Sequence, residues 1–155
     1  MDLELVTATA AHAEVLGAEL RAADAAECEA LGLEPLTAPL ESLRVSDHAG
    51  TALFGGRVGA MYGIRYELGV CSVGQRVGLL WLLTGRVVDE QPMAFHREAK
   101  RVLRALPRYL EVGFNLVDAR HSSALRWLAV LGFRVLPAEP HGPHALPFHL
   151  VTRSF

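Results

Sequence analysis

The segment Val77 to Leu83, Val-Gly-Leu-Leu-Trp-Leu-Leu, contains no charged side chain and is apolar throughout. A strand without a polar face has to be covered on both sides, which places it centrally in a sheet. Downstream, Pro92 suits the first turn of a helix, where a missing amide proton has no intrahelical partner to lose. Pro107 stops that helix after about Leu106. Tyr109 to Val117 is the next largely apolar run, followed by a helix over Ser122 to Leu131 that Gly132 closes. Two apolar runs, each followed by a helix, are expected to lie side by side.

The other elements follow from changes of period. Asp2 to Val6 alternates acidic and apolar residues, as a strand does. Thr7 or Thr9 can cap one long helix whose apolar positions are Val15, Leu16, Leu20, Ala23, Ala26, Ala30 and Leu31, with Gly32 ending it. Pro39 to Val45 reads as a short helix with Leu40 and Leu43 inward. Thr51 to Phe54 and Arg57 to Tyr62 form a hairpin, because Gly55-Gly56 supplies the positive φ angles of a tight turn. Phe133 to Leu136 and Phe148 to Thr152 are two closing strands. The expected fold class is α/β, and this order of elements excludes a helical bundle or a pure sandwich.

A chain of 155 residues that is 51% hydrophobic and 21% charged is expected to form one domain over residues 1–155 and to fold alone. No apolar run approaches the roughly 20 residues that span a bilayer. The start Met1-Asp2-Leu3-Glu4 lacks the cationic opening of a secretory signal, so a cytoplasmic site of synthesis is expected. A net charge of −2 gives the whole chain no attraction to nucleic acid or anionic membranes. Cys28 and Cys71 match neither a metal spacing nor a disulfide framework and read as reduced structural thiols.

The segment His121-Ser-Ser-Ala124-Leu-Arg-Trp127-Leu128-Ala-Val-Leu-Gly132-Phe133 resembles the fourth-helix motif of GNAT acetyltransferases. There, Ala permits close helix approach, Gly ends the helix and Phe opens a strand beneath it. The element order matches as well, so the resemblance covers essentially the whole chain. It implies a GNAT-like mixed central sheet with helices on both faces, and divergence of the Val77 and Tyr109 strands towards a coenzyme cleft. Gly32-Leu-Glu-Pro-Leu36, Thr51-Ala-Leu-Phe54, Val117-Asp-Ala-Arg120 and Leu146-Pro-Phe-His149 resemble a narrower, phage-encoded group related to an internal virion protein family.

By that resemblance, an acetyl-CoA site would use Leu82, Leu83, Thr84, Gly85, Arg86, Gln91, His121, Ala124 and Leu128. Three departures weaken it. The diphosphate loop of GNAT enzymes is Gly-rich, whereas Thr84 to Pro92 offers only Gly85 and Arg86 in its favour, with Asp89 and Glu90 near the phosphates. Like charges there repel by roughly 1 to 3 kcal/mol each. Leu128 stands where a general-acid Tyr is frequent, and His121 where Asn is frequent. The central strand also lacks a carboxylate base, which leaves Tyr62, Tyr66, Glu67 and Asp118 as substitutes and the catalytic residues unassigned.

Arg97, Lys100, Arg101, Arg104 and Arg108 fall on one helix side and read as a solvated face without aromatic interleaving, so no nucleic-acid role is expected. His141, His144 and His149 lie in a proline-broken stretch and read as loop residues, not metal ligands. Trp81 and Trp127 read as core anchors. The resemblance thus implies a catalytically reduced phage protein with a structural or binding role in the virion or its assembly, holding acetyl-CoA weakly if at all. The alternative is an acetyl-CoA-dependent N-acetyltransferase acting on an amine of a host or phage molecule.

Overall fold

A computed structural model describes residues 2–71 and 74–155, without the side chains of Val70 and Cys71. The expectation for the Cys71 thiol therefore lies outside the described residues. Eight strands form one mixed sheet: β1 (Leu3–Thr7), β2 (His48–Phe54), β3 (Arg57–Tyr66), β4 (Val77–Thr84), β5 (Val112–Asp118), β6 (Arg134–Val135), β7 (Glu139–His141) and β8 (Leu146–Ser154). Their order is β1-β2-β3-β4-β5-β8-β6, with β7 also paired to β8. Among the described residues only β4 and β5 run parallel.

The helices are α1 (Ala10–Glu19), α2 (Ala22–Ala30), α3 (Ala38–Val45), α4 (Leu68–Cys71), α5 (Pro92–Ala105) and α6 (Ser122–Val130). They cover both faces. Trp81 and Leu83 of β4 pack with Leu16 of α1 and with Leu40 and Leu43 of α3. Leu80 and Leu82 point the other way, towards Leu103 and Phe95 of α5 and Trp127 of α6. A strand apolar throughout is thus covered on both sides, and each fully buried Leu or Met contributes about 1.5 to 3 kcal/mol.

The long first helix is corrected by the structure. It breaks at Leu20, whose backbone turns extended (ψ 142°), and resumes at Ala22. The cause is tertiary: Leu20 bridges to Gly85, and the Arg21 amide donates to the Thr84 carbonyl at 3.0 Å. Thr9 caps α1 by accepting from the His12 amide at 3.2 Å, as its hydroxyl suggested. On α2 the inward face carries Asp24, Cys28 and Ala30, whereas Ala23 is exposed, as is Val15 on α1. The strand expected from Tyr109 starts only at Val112, because a 3-10 turn over Leu106–Arg108 follows α5. The proline-rich stretch before β8 holds β7, a short hairpin partner turned at Gly142 (φ 78°).

Candidate functional site

β4 and β5 pair over only three positions, Val77 with Val112, Gly78 with Gly113 and Leu79 with Phe114. Beyond these the strands part. In an antiparallel ladder alternate residues turn their N–H and C=O away from the partner strand. Thr84 does so, since its amide donates to Asp24 and its carbonyl accepts from Arg21. Leu82, in the same phase against β3, presents its backbone groups to the gap as well, whereas the Leu80 amide still belongs to the Leu79–Phe114 pairing. A cavity of about 1010 Å³ fills this gap and continues beneath α5.

The mouth of the gap is bridged by α2. Asp24 accepts from the Thr84 amide (2.6 Å) and hydroxyl on β4, while Glu27 accepts from the Asp118 amide (3.1 Å) on β5. Two carboxylates therefore stand in for the missing ladder. Between them lies His121, with Nε2 3.9 Å from Asp24 and Nδ1 3.5 Å from Glu27. Its Nε2 is buried without a hydrogen-bond partner. Halfway along β5, the Asn115 side chain accepts from the Leu116 amide.

Electrostatics in this cluster pull in opposite directions. Burial pushes the Asp24 carboxyl up from its ordinary value, against the two Thr84 donors and the nearby Arg21. The Glu27 carboxylate raises the His121 imidazole, against burial and with help from Asp24. Burial, with Asp24, Glu27 and Glu29 behind it, pushes the Cys28 thiol up to about 12, as befits an unreactive structural cysteine.

After β4 the chain forms a 3-10 turn over Arg86–Glu90 instead of an open glycine loop. Amides in and flanking it are committed: Gly85 donates to Gly59, Val88 to Gly85, and Gln91 to Val88. Val87 and Val88 are buried, which anchors the turn. Asp89 and Glu90 are exposed but paired, with Arg21 and Arg57, each at 3.0 Å. The expectation of unopposed carboxylates beside a lone Arg86 is thus corrected, because two arginines distant in sequence neutralise them.

Of the residues that the resemblance pointed to, Leu82, Leu83, Thr84, His121, Ala124 and Leu128 line the cavity. Gly85, Arg86 and Gln91 do not, and Arg86 is exposed. Among the substitute acid-base groups only Tyr62 lines it, its hydroxyl raised by burial and by Glu98. Asp118 pairs with Arg120 at 2.7 Å, which holds its carboxyl below the usual range. Tyr66 donates to the Tyr109 carbonyl, and Glu67 follows β3 at the closed end of the gap. Asp24 and Glu27 were missed by sequence reasoning; two acids three residues apart on an otherwise Ala-rich helix were the available signal.

Elsewhere, Trp81 donates to Ser46, while Trp127 stacks on Phe95 at 5.5 Å and donates to His96, so both are anchored and both also line the cavity. His149 contacts the Leu136 carbonyl and His141 packs on Phe148; the histidines do not converge. Among the described residues no three metal-ligating side chains cluster and no helix is long and apolar enough to cross a membrane. The α5 cations are exposed, with Arg101 paired to Glu98.

Parting of parallel β4 and β5 in a sheet of this order, with helices on both faces, defines the GNAT acetyltransferase fold. Solved structures bear this out along the full chain. A GNAT-family acetyltransferase from Streptococcus pneumoniae is 16% identical with a TM-score of 0.66, covering 99% of each chain. A ribosomal-protein-alanine N-acetyltransferase from Brucella melitensis is 15% identical with a TM-score of 0.72, covering 98% of this chain and 99% of that one. A phosphinothricin acetyltransferase from Sinorhizobium meliloti, solved in complex with AcCoA, is 16% identical with a TM-score of 0.69 over 100% and 89%. No family model and no curated protein matches the sequence.

Proposed function

We propose that this chain binds an acyl-CoA in the cleft between β4 and β5 and transfers the acyl group to an amine. The observation that carries the reading is the cleft itself, with open backbone at Leu82 and acid-base groups at its mouth. In such a transfer the amine nitrogen attacks the thioester carbonyl, the carbon-sulfur bond breaks, the thiolate leaves and the amine loses a proton. Glu27 is the acceptor for that proton, and His121, its imidazole raised by Glu27, is the donor to the thiolate. These groups come from α2 and the start of α6, which accounts for a β4 without a carboxylate and for Leu128 at the tyrosine position.

The fit to the coenzyme is uneven. The cleft suits a thioester arm, whereas amides in and flanking the 3-10 turn are committed within the fold and not open to a diphosphate. Binding of acetyl-CoA is accordingly weak, with a Kd of about 0.1 mM or higher, or roughly −5.5 kcal/mol. Calorimetric titration with acetyl-CoA, followed by an assay for acetyl transfer to polyamine and peptide amines, tests this. Saturable binding with turnover that Glu27→Gln and His121→Ala abolish is the expected result; absence of both binding and turnover overturns it.

The resemblance of Thr51 to Phe54 and Val117 to Arg120 to a phage-encoded group supports a second reading, in which the fold serves a phage virion or its assembly without catalysis. Mass spectrometry of purified virions and assembly intermediates discriminates. Presence in particles together with failure to bind acetyl-CoA would establish this reading over the first.

A further inference from the structure

We propose that the chamber beneath α5 receives an apolar acyl chain, so that the donor held by the cleft is a medium-chain acyl-CoA in preference to acetyl-CoA; this rests on the acyltransferase reading above. The chamber is the part of the cavity that extends from the β4 and β5 gap under the helix, and the whole is about 1010 Å³, at the top of the range for ligand pockets. Its size has a cause in the sequence. Ala52 and Ala60 on the sheet side are buried with Leu82 and Phe95 packed against their cluster, and the residue on the helix side is Ala99. On the helix side, the small Ala99 leaves space that a larger side chain would fill. α5 accordingly has no fully buried residue, and Phe95, Val102 and Leu103 are only half-buried although they face the sheet.

The chemistry of the walls selects the occupant. Val102, Leu103, Ile64 and Leu106 offer no hydrogen bond to a polar substrate, and at the far end stands the exposed Tyr109, packed on His48 at 4.7 Å. Tyr62, His96 and Glu98 are polar groups on the walls, with Asp47 beside His48 at the far end, and the acid-base cluster of Asp24, Glu27 and His121 lies at the other end, at the mouth of the gap. A polar end joined to a long apolar end matches a thioester carrying a hydrocarbon tail. An acetyl group would leave the apolar part unused.

The test is a titration series of acetyl-, octanoyl- and dodecanoyl-CoA, with dodecanoate alone as a separate arm, all below micellar concentration. Each buried methylene is worth up to about fourfold in affinity, so octanoyl-CoA is expected to bind at least about 100-fold more tightly than acetyl-CoA. Ala99→Phe, which projects a ring from α5 into the chamber, is expected to flatten the series; thermal unfolding verifies that it folds, and Val102→Phe replaces it if it does not. Affinity independent of chain length in the native protein overturns the proposal, as does a chain-length dependence that survives both substitutions. Binding of dodecanoate without any acyl-CoA supports the chamber and refutes the coenzyme reading, so the two fail separately.

Discussion

Asp24 ties α2 to the end of β4, because one carboxylate satisfies both the amide and the hydroxyl of Thr84. Asp24→Ala strands these donors in a buried place, and an unsatisfied buried polar group costs about 1 to 3 kcal/mol. Asp24→Asn keeps an acceptor oxygen and removes a charge that burial disfavours, so it is expected to be the milder of the two by urea unfolding; a loss as large as that of Asp24→Ala would show that the acceptor oxygen alone does not carry the contact. His121 makes a pH-dependent contribution. Its folded pKa is raised, so its stabilisation is complete below the ordinary value near 6.5 and is lost as pH rises through the folded value. The advantage in thermal midpoint of the native protein over His121→Gln should therefore shrink between pH 6 and pH 9, and an advantage that is constant or grows with pH contradicts this. The His121 position was legible from its place before Ala124 and Gly132. Its carboxylate partners were not, because apolar periodicity marks Ala23 and Ala26 while the structure turns Asp24 inward.

Among the elements, α1 and α2 show how tertiary contacts override local preference. Nothing in Leu20-Arg21 forbids a helix, yet both residues give their backbone to the end of β4, fixing α2 across the gap. Such a contact joins residues about sixty positions apart and leaves no local pattern, whereas the strands and α5 are legible because their periods, prolines and glycines are local. Close approach also explains Gly17. A Cβ there would lie 1.9 Å from the Leu36 carbonyl oxygen, in the chain leading to α3. Replacing an interior helical Gly by Ala ordinarily stabilises by up to about 1 kcal/mol. Here overpacking reverses the sign, and Gly17→Ala is expected to destabilise by about 1 to 3 kcal/mol in chemical denaturation. A neutral or stabilising effect would mean that the Leu36 segment moves freely from α1.

At the scale of the whole molecule, the proposed coenzyme binding turns on four charges that the fold brings together beside the 3-10 turn. The acidic pair Asp89 and Glu90 was visible in the sequence; that Arg21 and Arg57 neutralise it was not, since these lie 68 and 33 residues away. Each pair is partly exposed and worth about 0 to 1 kcal/mol. A charge-assisted hydrogen bond from the same guanidinium to a phosphate is worth about 1.5 to 3 kcal/mol. Replacing Asp89→Asn together with Glu90→Gln keeps the shape of the turn, releases both arginines and removes two charges that repel the coenzyme. The gain is about 1 to 2 kcal/mol for each arginine that turns to the diphosphate, so acetyl-CoA is expected to bind roughly tenfold more tightly per released arginine. The gain should shrink as salt rises, because exposed charges are screened beyond about 10 Å at 0.1 M. Calorimetry of the double variant at low and moderate salt measures both effects. Unchanged affinity would mean that the committed amides of the 3-10 turn, and not the ion pairs above it, keep the diphosphate out.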